Sequence, residues 1–344
     1  MERGQAVELC IIPGDGVGPE VVPAAVRVLQ KIAPNIVIHY ADAGWNCFQA
    51  QGTPLPEATL ALARHCKAVL YGAAMSPSYP VEGYYVPGVR LRRALETYAN
   101  LRPTRYLPVP TSRPGVDLVV VRENTEDIYI GHEYTQESGS VGVAEKIITR
   151  AATERVAHKA YQLAVESQRS KMTIVHKASV LTQTDGLFRR VALEVAQQYP
   201  SITTDELLVD TAAYWMVKNP ARFDMILTSN LYGDILSDMA AAWGGGLGLA
   251  PSLNLGDGVA MAEPVHGAAP DIAGSGVANP TAAILSVAML LRHHWRLHEE
   301  AQRIETAVYQ VLSEGDHTSD IYIEGAISTQ DFTDHVCAHL DNAL

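Results

Sequence analysis

The chain is short of positive charge, of paired cysteines and of long apolar runs, and each shortage removes a class of function. Lys and Arg number 26 against 38 Asp and Glu, for a formal net charge of -12. Duplex nucleic acid and anionic membranes both need a basic surface, so neither is expected as a partner. A divalent cation suits an acidic chain better, and an anionic substrate would need a local basic pocket. Cys10, Cys47, Cys66 and Cys337 lie far apart, without the spacing of a zinc or redox motif, and read as free thiols in a reducing compartment. No uncharged apolar run reaches the ~18 residues of a membrane span. The start, MERGQAVELCIIPGDG, runs straight into a strand pattern, so no signal peptide is expected and the cytoplasm is the expected location. Repeats and low-complexity tracts are absent as well.

What is there is a globular composition, 47% hydrophobic with mean hydropathy +0.02. At 344 residues the chain predicts two domains, or one interrupted domain. Apolar runs at 7–12, 36–40, 68–71, 118–121, 172–175, 206–209 and 225–227 read as strands. Helical spacing follows several of them: after Pro19, over 56–66, 89–98, 151–166, 187–197 and 235–242, and twice more at 281–292 and 301–312. This alternation is the βαβ rhythm of an α/β protein with a mostly parallel sheet. Four prolines between 103 and 114 suggest a connection or domain crossing, and the polar stretch 132–149 a hairpin or arm.

Six groups of residues draw chemical interest. Asp234 and Asp238 are one helical turn apart and share a face, where two like charges repel unless a cation sits between them. Hard oxygen donors suit Mg2+ or Mn2+, with Asp210, at the end of a strand, as a third ligand; the bland alternative is a solvated helix face. Lys177 follows a strand, where parallel sheets bind ligands, and is either a tunable base or an ordinary surface lysine. Arg92, Arg102 and Arg122 would bind carboxylates if they converged; otherwise they pair separately with Glu96, Glu123 or Glu126. The turn 13–18 (PGDGVG) lacks G-x-G-x-x-G spacing, so Asp42 counts for little as a ribose ligand and a tight turn is the reading. The stretch 263–274 (EPVHGAAPDIAG) brings backbone close to a ligand, and Asp271 could accept bonds from a ribose diol while repelling a 2′-phosphate. His293, His294 and His298, flanked by Arg and Glu, read as a solvated face rather than a metal site.

Taken together, IIPGDGVGPEVV, YANLRP, VVVRENTEDIYIG, VHKASVL, NLYGDILSD and EPVHGAAPDIAGSGVANPTAAILS resemble the metal-dependent β-decarboxylating dehydrogenases. That family includes isocitrate, homoisocitrate, isopropylmalate and tartrate or D-malate enzymes. The segments cover almost the whole chain, in the family's order. The resemblance implies a two-domain, isopropylmalate-dehydrogenase-like α/β fold with a non-Rossmann NAD site. Residues 1–104 with 258–344 would form the larger domain, carrying the cofactor loop and both termini. Residues 105–257 would form the smaller one, with the dimer interface, the metal aspartates and an arm near 132–149. A homodimer or tetramer with active sites shared between subunits is also implied.

Roles follow from the resemblance position by position. Tyr129, Lys177 and Asp210 match catalytic residues, and Arg92, Arg102 and Arg122 the substrate-carboxylate arginines. Asp210, Asp234 and Asp238 match the metal ligands, with Lys177 and Asp210 lent by the partner subunit. Glu263, His266, Gly267, Ala269, Asp271, Ile272 and Asn279 match the cofactor loop. Enzymes of the family that use NADP carry Lys and Tyr where this chain has Asp271 and Ile272, which implies NAD. The implied reaction is hydride transfer from a 2-hydroxy acid to NAD, then loss of CO2. Val86 and Gly88 stand where many isocitrate enzymes have Ser and Asn. The stretch VEGYYVPGVRLRR looks closest to homoisocitrate dehydrogenases, with Arg90 or Tyr85 meeting a distal carboxylate. Isocitrate, tartrate, D-malate and isopropylmalate stay open as substrates. So does a non-enzymatic role as the regulatory subunit of a hetero-oligomeric isocitrate dehydrogenase, although every matched catalytic position is filled.

Overall fold

The computed structural model describes residues 7–342. Among them the apolar runs become strands β1 (Glu8–Gly14), β2 (Val37–Tyr40), β3 (Ala68–Ala73), β4 (Ala99–Arg105), β5 (Asp117–Glu123), β6 (Glu133–Gln136), β7 (Val141–Ala144), β8 (Lys171–His176), β9 (Thr203–Leu208), β10 (Met225–Thr228), β11 (Pro251–Leu255) and β12 (Ala260–Pro264). The helices are α1 (Gly18–Ile32), α2 (Trp45–Gln51), α3 (Glu57–Cys66), α4 (Pro87–Ala94), α5 (Arg150–Glu166), α6 (Thr184–Ala196), α7 (Val209–Lys218), α8 (Asn230–Gly244), α9 (Thr281–His293), α10 (His298–Ser313) and α11 (Thr329–Asn342). The chain divides into two compact units. Among the described residues, one holds 7–96, 106–114 and 244–342; the other holds 97–105 and 115–243.

In the first unit the strand order is β2-β1-β3-β12-β11, with only the β11–β12 pair antiparallel. Leu9, Cys10, Ile11 and Ile12 are wholly buried, as expected of a strand covered on both faces. Helix α1 packs on β1 and β3, and α9 on β11 and β12, with α10 and α11 outside them. Ten of the thirteen residues of α9 are buried. In the second unit the order is β4-β5-β10-β8-β9, with only the β4–β5 pair antiparallel. Helices α5 and α6 pack together over β5 and β8. A separate apolar cluster joins Ala212 and Met216 of α7 and Leu236 and Ala240 of α8 to Val120, Val175 and Ile226. The stretch 132–149 contains the β6–β7 hairpin, which is exposed along most of its length.

Three expectations are corrected. Strand β4 takes the first three residues, 103–105, of the segment expected as a connection or domain crossing; it pairs with β5 over all seven residues and belongs to the second unit, while 106–114 belongs to the first. Residues 244–257 belong to the first unit, because β11 pairs with β12 there, so the expected boundary at 257 moves to 243. Asp210 does not end a strand: it sits in the first turn of α7, one of six elements (with α2, β4, β11, β12 and α11) that periodicity missed.

Candidate functional site

Most of the residues singled out in the second unit are gathered around α8. The helix follows β10 directly, and Gly233 on it lets Arg122 of β5 lie against the helix backbone, where even a Cβ would meet that side chain at 2.6 Å. Arg122 is 1% exposed, and a buried guanidinium needs partners on every side. Its Nε donates to Asn230 Oδ1 at 2.9 Å, its Nη1 to Asp234, and its face lies over the Tyr129 ring, 5.0 Å from the centroid. Arg102, on β4, is held by Asn100 at 2.9 Å, Ser237 at 2.8 Å and Asp238 Oδ1 at 3.0 Å, with Asp234 at 3.5 Å. The Tyr129 hydroxyl donates to Asp234 Oδ2 at 2.7 Å. Arg102, Arg122 and Tyr129 therefore converge on the two carboxylates of one helical turn. The expected rivals are engaged elsewhere: Glu123 accepts from the backbone of Thr125 and Glu126, and Glu126 from Thr149.

The electrostatics follow from this packing. Burial pushes the Tyr129 phenol up, and its bond to Asp234 pushes the same way, so it keeps its proton. Burial also raises the Asp238 carboxyl, against the opposing pull of Arg102 and with the added push of Asp234. A divalent cation would relieve that like-charge pair, and hard carboxylate oxygens are the donors that Mg2+ or Mn2+ prefer. The third expected ligand is not with them. Asp210 is exposed on α7 and bonds Lys177 Nζ, which holds its carboxyl below the usual range. Among the described residues, the only three His, Cys, Asp or Glu side chains with ligand atoms all close together are Glu8, His39 and Cys66. One chain thus offers Asp234 and Asp238 at one place and the Lys177–Asp210 pair at another. Lys177 is fixed by its own N–H, which donates to the buried Asp185 at 2.6 Å; Lys146 compensates that carboxylate at 2.8 Å.

The remaining sequence-predicted residues belong to the first unit. Arg92, on α4, meets Glu263 of β12 at 2.8 Å, and Glu263 also accepts from Asn254 at 2.7 Å. Glu263 is thus a buried strand residue, not part of a surface loop. Arg90 is half exposed and stacks on the Tyr85 ring, 4.7 Å from its centroid. Past β12, His266 Nδ1 lies 2.9 Å from the Gly267 carbonyl, while its buried Nε2 has no hydrogen-bond partner. Gly267 has open space where a side chain would stand; Asp271 is exposed, Ala269 and Ile272 partly so. Ala269 sits at φ 39, a left-handed conformation that keeps the loop backbone turned. Asn279 is buried, donating to Asp320 at 3.1 Å. An exposed backbone loop ending in an acid, beside an orphaned buried imidazole nitrogen, fits a dinucleotide such as NAD.

Sequence reasoning missed what supports this loop. Asp15, in the turn taken as merely tight, is wholly buried and accepts from the backbone N–H of Trp45, Asn46 and Met75 at 2.6, 3.0 and 2.9 Å. Beside it Gly16, at φ 59, packs on the Ala268 carbonyl, and Val17 donates to that oxygen at 2.8 Å. Glu20, two residues into α1, accepts from the N–H of Gly274 and Gly276. The only available signal was the Asp between two glycines, which a phosphate-motif search discards. Tyr71 of β3 was also missed; its buried hydroxyl lacks a hydrogen-bond partner, and burial, then Glu263, push its ionisation up. His294 departs from the solvated face expected of it: burial pushes its pKa down to about 4.

Comparison with known proteins agrees with this arrangement. The family model for isocitrate/isopropylmalate dehydrogenase matches residues 8–336. The chain is 48% identical to the isocitrate/homoisocitrate dehydrogenase of Thermus thermophilus over 331 residues, covering 96% of this chain and 98% of that protein. It is 46% identical to the 3-isopropylmalate dehydrogenase of Archaeoglobus fulgidus over 335 residues, covering 97% and 99%. The crystal structure of isocitrate dehydrogenase from Methylococcus capsulatus superposes with a TM-score of 0.93 at 39% identity, covering 97% of this chain and 99% of that one. The chain belongs to the isocitrate/isopropylmalate dehydrogenase family, a class of enzymes that oxidise and decarboxylate hydroxy acids.

Proposed function

We propose that the chain is an NAD-dependent, divalent-metal-dependent dehydrogenase that converts homoisocitrate to 2-oxoadipate and CO2, working as a homodimer or a larger assembly of the same chain. The observation that carries the reading is the convergence of Arg102, Arg122 and Tyr129 on Asp234, which gathers two cations of an acidic protein beside a pair of carboxylates. Guanidinium groups in that setting bind carboxylates bidentately. Asp234 and Asp238, with Asp210 from a second copy, hold Mg2+ or Mn2+. When bound, that cation would supply Lewis acidity toward negative charge on the substrate oxygen.

The chain's own groups handle the protons. Lys177, its backbone held by Asp185, would take the hydroxyl proton at Nζ as the neutral amine, once Asp210 has turned from it to the cation. Tyr129 holds its phenolic proton until carbon needs it after CO2 is lost, and burial keeps that proton in place. The loop 266–272 takes the dinucleotide, and Asp271 favours NAD+ over NADP+ by accepting from the ribose diol and repelling a 2′-phosphate. The support for homoisocitrate is the stack of exposed Arg90, two residues before Arg92, on Tyr85, a cationic feature able to meet a distal carboxylate, together with the name of the Thermus relative. The same relative's name favours isocitrate as a second reading.

The test is a panel of 2-hydroxy di- and tricarboxylates given to the purified chain with Mn2+ or Mg2+ and either NAD+ or NADP+, scored by reduced cofactor and by released CO2. Homoisocitrate with NAD+ should give the highest kcat/KM, and a chelator should abolish it reversibly. Preference for another acid overturns the substrate assignment. Absence of turnover by the chain alone would point to a regulatory subunit.

A further inference from the structure

Outside the residues assigned above, the first unit carries a second set of metal-ligating side chains. Strands β1 and β2 pair in parallel with Glu8 opposite Val37 and Cys10 opposite His39, so Glu8 and His39 stand on one face at the sheet's edge. Helix α3 packs on β1 and ends at His65 and Cys66. One donor atom from each of Glu8, His39 and Cys66 lies within 4.8 Å of the other two. Glu8 Oε2 is 3.5 Å from His39 Nε2 and 3.0 Å from His65 Nε2. Among the described residues, Glu8 Oε2 and His39 Nε2 nonetheless have no hydrogen-bond partner of proper geometry, although both atoms are buried. Buried polar atoms are nearly always satisfied, and these two are held only by ion-pair contacts without hydrogen-bond geometry, an arrangement that a shared cation would satisfy.

We propose that Glu8, His39 and Cys66 bind one borderline-soft divalent cation of the Zn2+ class, with water completing the coordination from the solvent side. Carboxylate, imidazole and thiolate are the Zn2+ donors, and in tetrahedral coordination at about 2.1 Å neighbouring donors stand about 3.4 Å apart, close to the spacing already present. The donors come from three elements, so the ion ties edge strand β2 and the end of α3 to β1. Binding expels the Cys66 proton to form the thiolate. The donor set differs in kind from the oxygen-only aspartates of α7 and α8: sulfur and nitrogen select against Mg2+.

That difference makes the sites separable by experiment. The full-length chain, stripped with chelator, is titrated with Co2+ and followed by absorbance. Only a thiolate gives an intense near-ultraviolet charge-transfer band, so the aspartates stay silent. The expected result is a sulfur band that saturates at one Co2+ per chain and is displaced by Zn2+. Cys66→Ser should abolish the band, and His39→Gln should weaken Co2+ binding at least tenfold while leaving Mg2+-dependent turnover unchanged. His39→Gln alters a partly exposed residue of an edge strand, so it keeps the test open if Cys66→Ser fails to fold. No sulfur band at one equivalent in the parent chain, or a band that survives either substitution unchanged, overturns the proposal.

Discussion

Two glycines inside helices respond in opposite ways to the same substitution. Gly186 lies in α6 and Gly233 in α8, and neither has a left-handed backbone. Helix propensity alone makes Gly→Ala favourable by roughly 0.8–1.0 kcal/mol at both. At Gly186 the added methyl would meet nothing closer than 3.6 Å, an ordinary contact. At Gly233 it would stand 2.6 Å from Cβ and Cγ of Arg122 and 3.1 Å from Cδ. Carbon atoms prefer about 3.5–4.0 Å, so Arg122 has to retreat by about an ångström. It cannot do so freely, because Asn230, Asp234 and the Tyr129 ring hold its head group. Overpacking of this kind costs about 1–3 kcal/mol, which is the expected stability gap between Gly186→Ala and Gly233→Ala. A misplacement of that size in a group that positions substrate costs about a hundredfold in rate. Urea unfolding of both variants measures the first quantity, and kcat/KM on the best substrate the second. If Gly233→Ala unfolds at the midpoint of Gly186→Ala and turns over normally, the reading of Arg122 as a tightly placed substrate ligand is refuted.

Tyr129→Phe and Lys177→Ala should each lower kcat by about 10²–10⁴ while leaving NAD+ binding, read by fluorescence, intact. Asp271→Lys combined with Ile272→Tyr should raise kcat/KM for NADP+ relative to NAD+; an unchanged ratio would remove Asp271 from cofactor selection. Burial lifts the Glu126 carboxyl from 4.5 to about 7. Between those values the folded chain holds more protons than the unfolded one, so stability falls as pH rises through that window. Glu126→Gln should flatten the fall, read as a smaller difference between urea midpoints at about pH 5 and about pH 8.

The β1, β3, β5, β8 and β10 strands were legible because strands covered on both faces read as unbroken apolar runs. Strand β4 (ANLRPTR) was not, because its buried polar members are satisfied by partners distant in sequence, Arg102 by Ser237 and Asp238. Strands β11 and β12 hide for the same reason: Asn254 and Glu263 look like loop residues until each is seen to satisfy the other. The pairing of Asp234 with Asp238 could be read from helical spacing alone. The grip of Arg102 and Arg122 on those carboxylates could not, because it depends on β4 and β5 pairing antiparallel beneath α8. Arg92 could not be placed with Glu263 either, since the two are 171 positions apart in the chain and meet only through the fold.

The separation of Asp210 and Lys177 from Asp234 and Asp238 within one chain makes its own demand on the proposed mechanism. If the reaction needs all four, a second copy must bring the missing pair, and in a two-fold dimer it does so reciprocally. Lys177→Ala and Asp234→Asn homodimers should then both be nearly inactive, each site lacking one essential group. In a mixed dimer the defects distribute unequally: one site receives both damaged groups and the other receives neither. Random reassortment of equal amounts makes about half of the dimers mixed, each with one intact site of two, so about a quarter of the parent activity should return. Recovery needs subunit exchange, which mass spectrometry of the mixture can verify independently. If mixed dimers form and no activity returns, each chain must complete its own site, and the pairing of Lys177 with Asp210 would have to be read as a surface ion pair rather than as half of a catalytic centre.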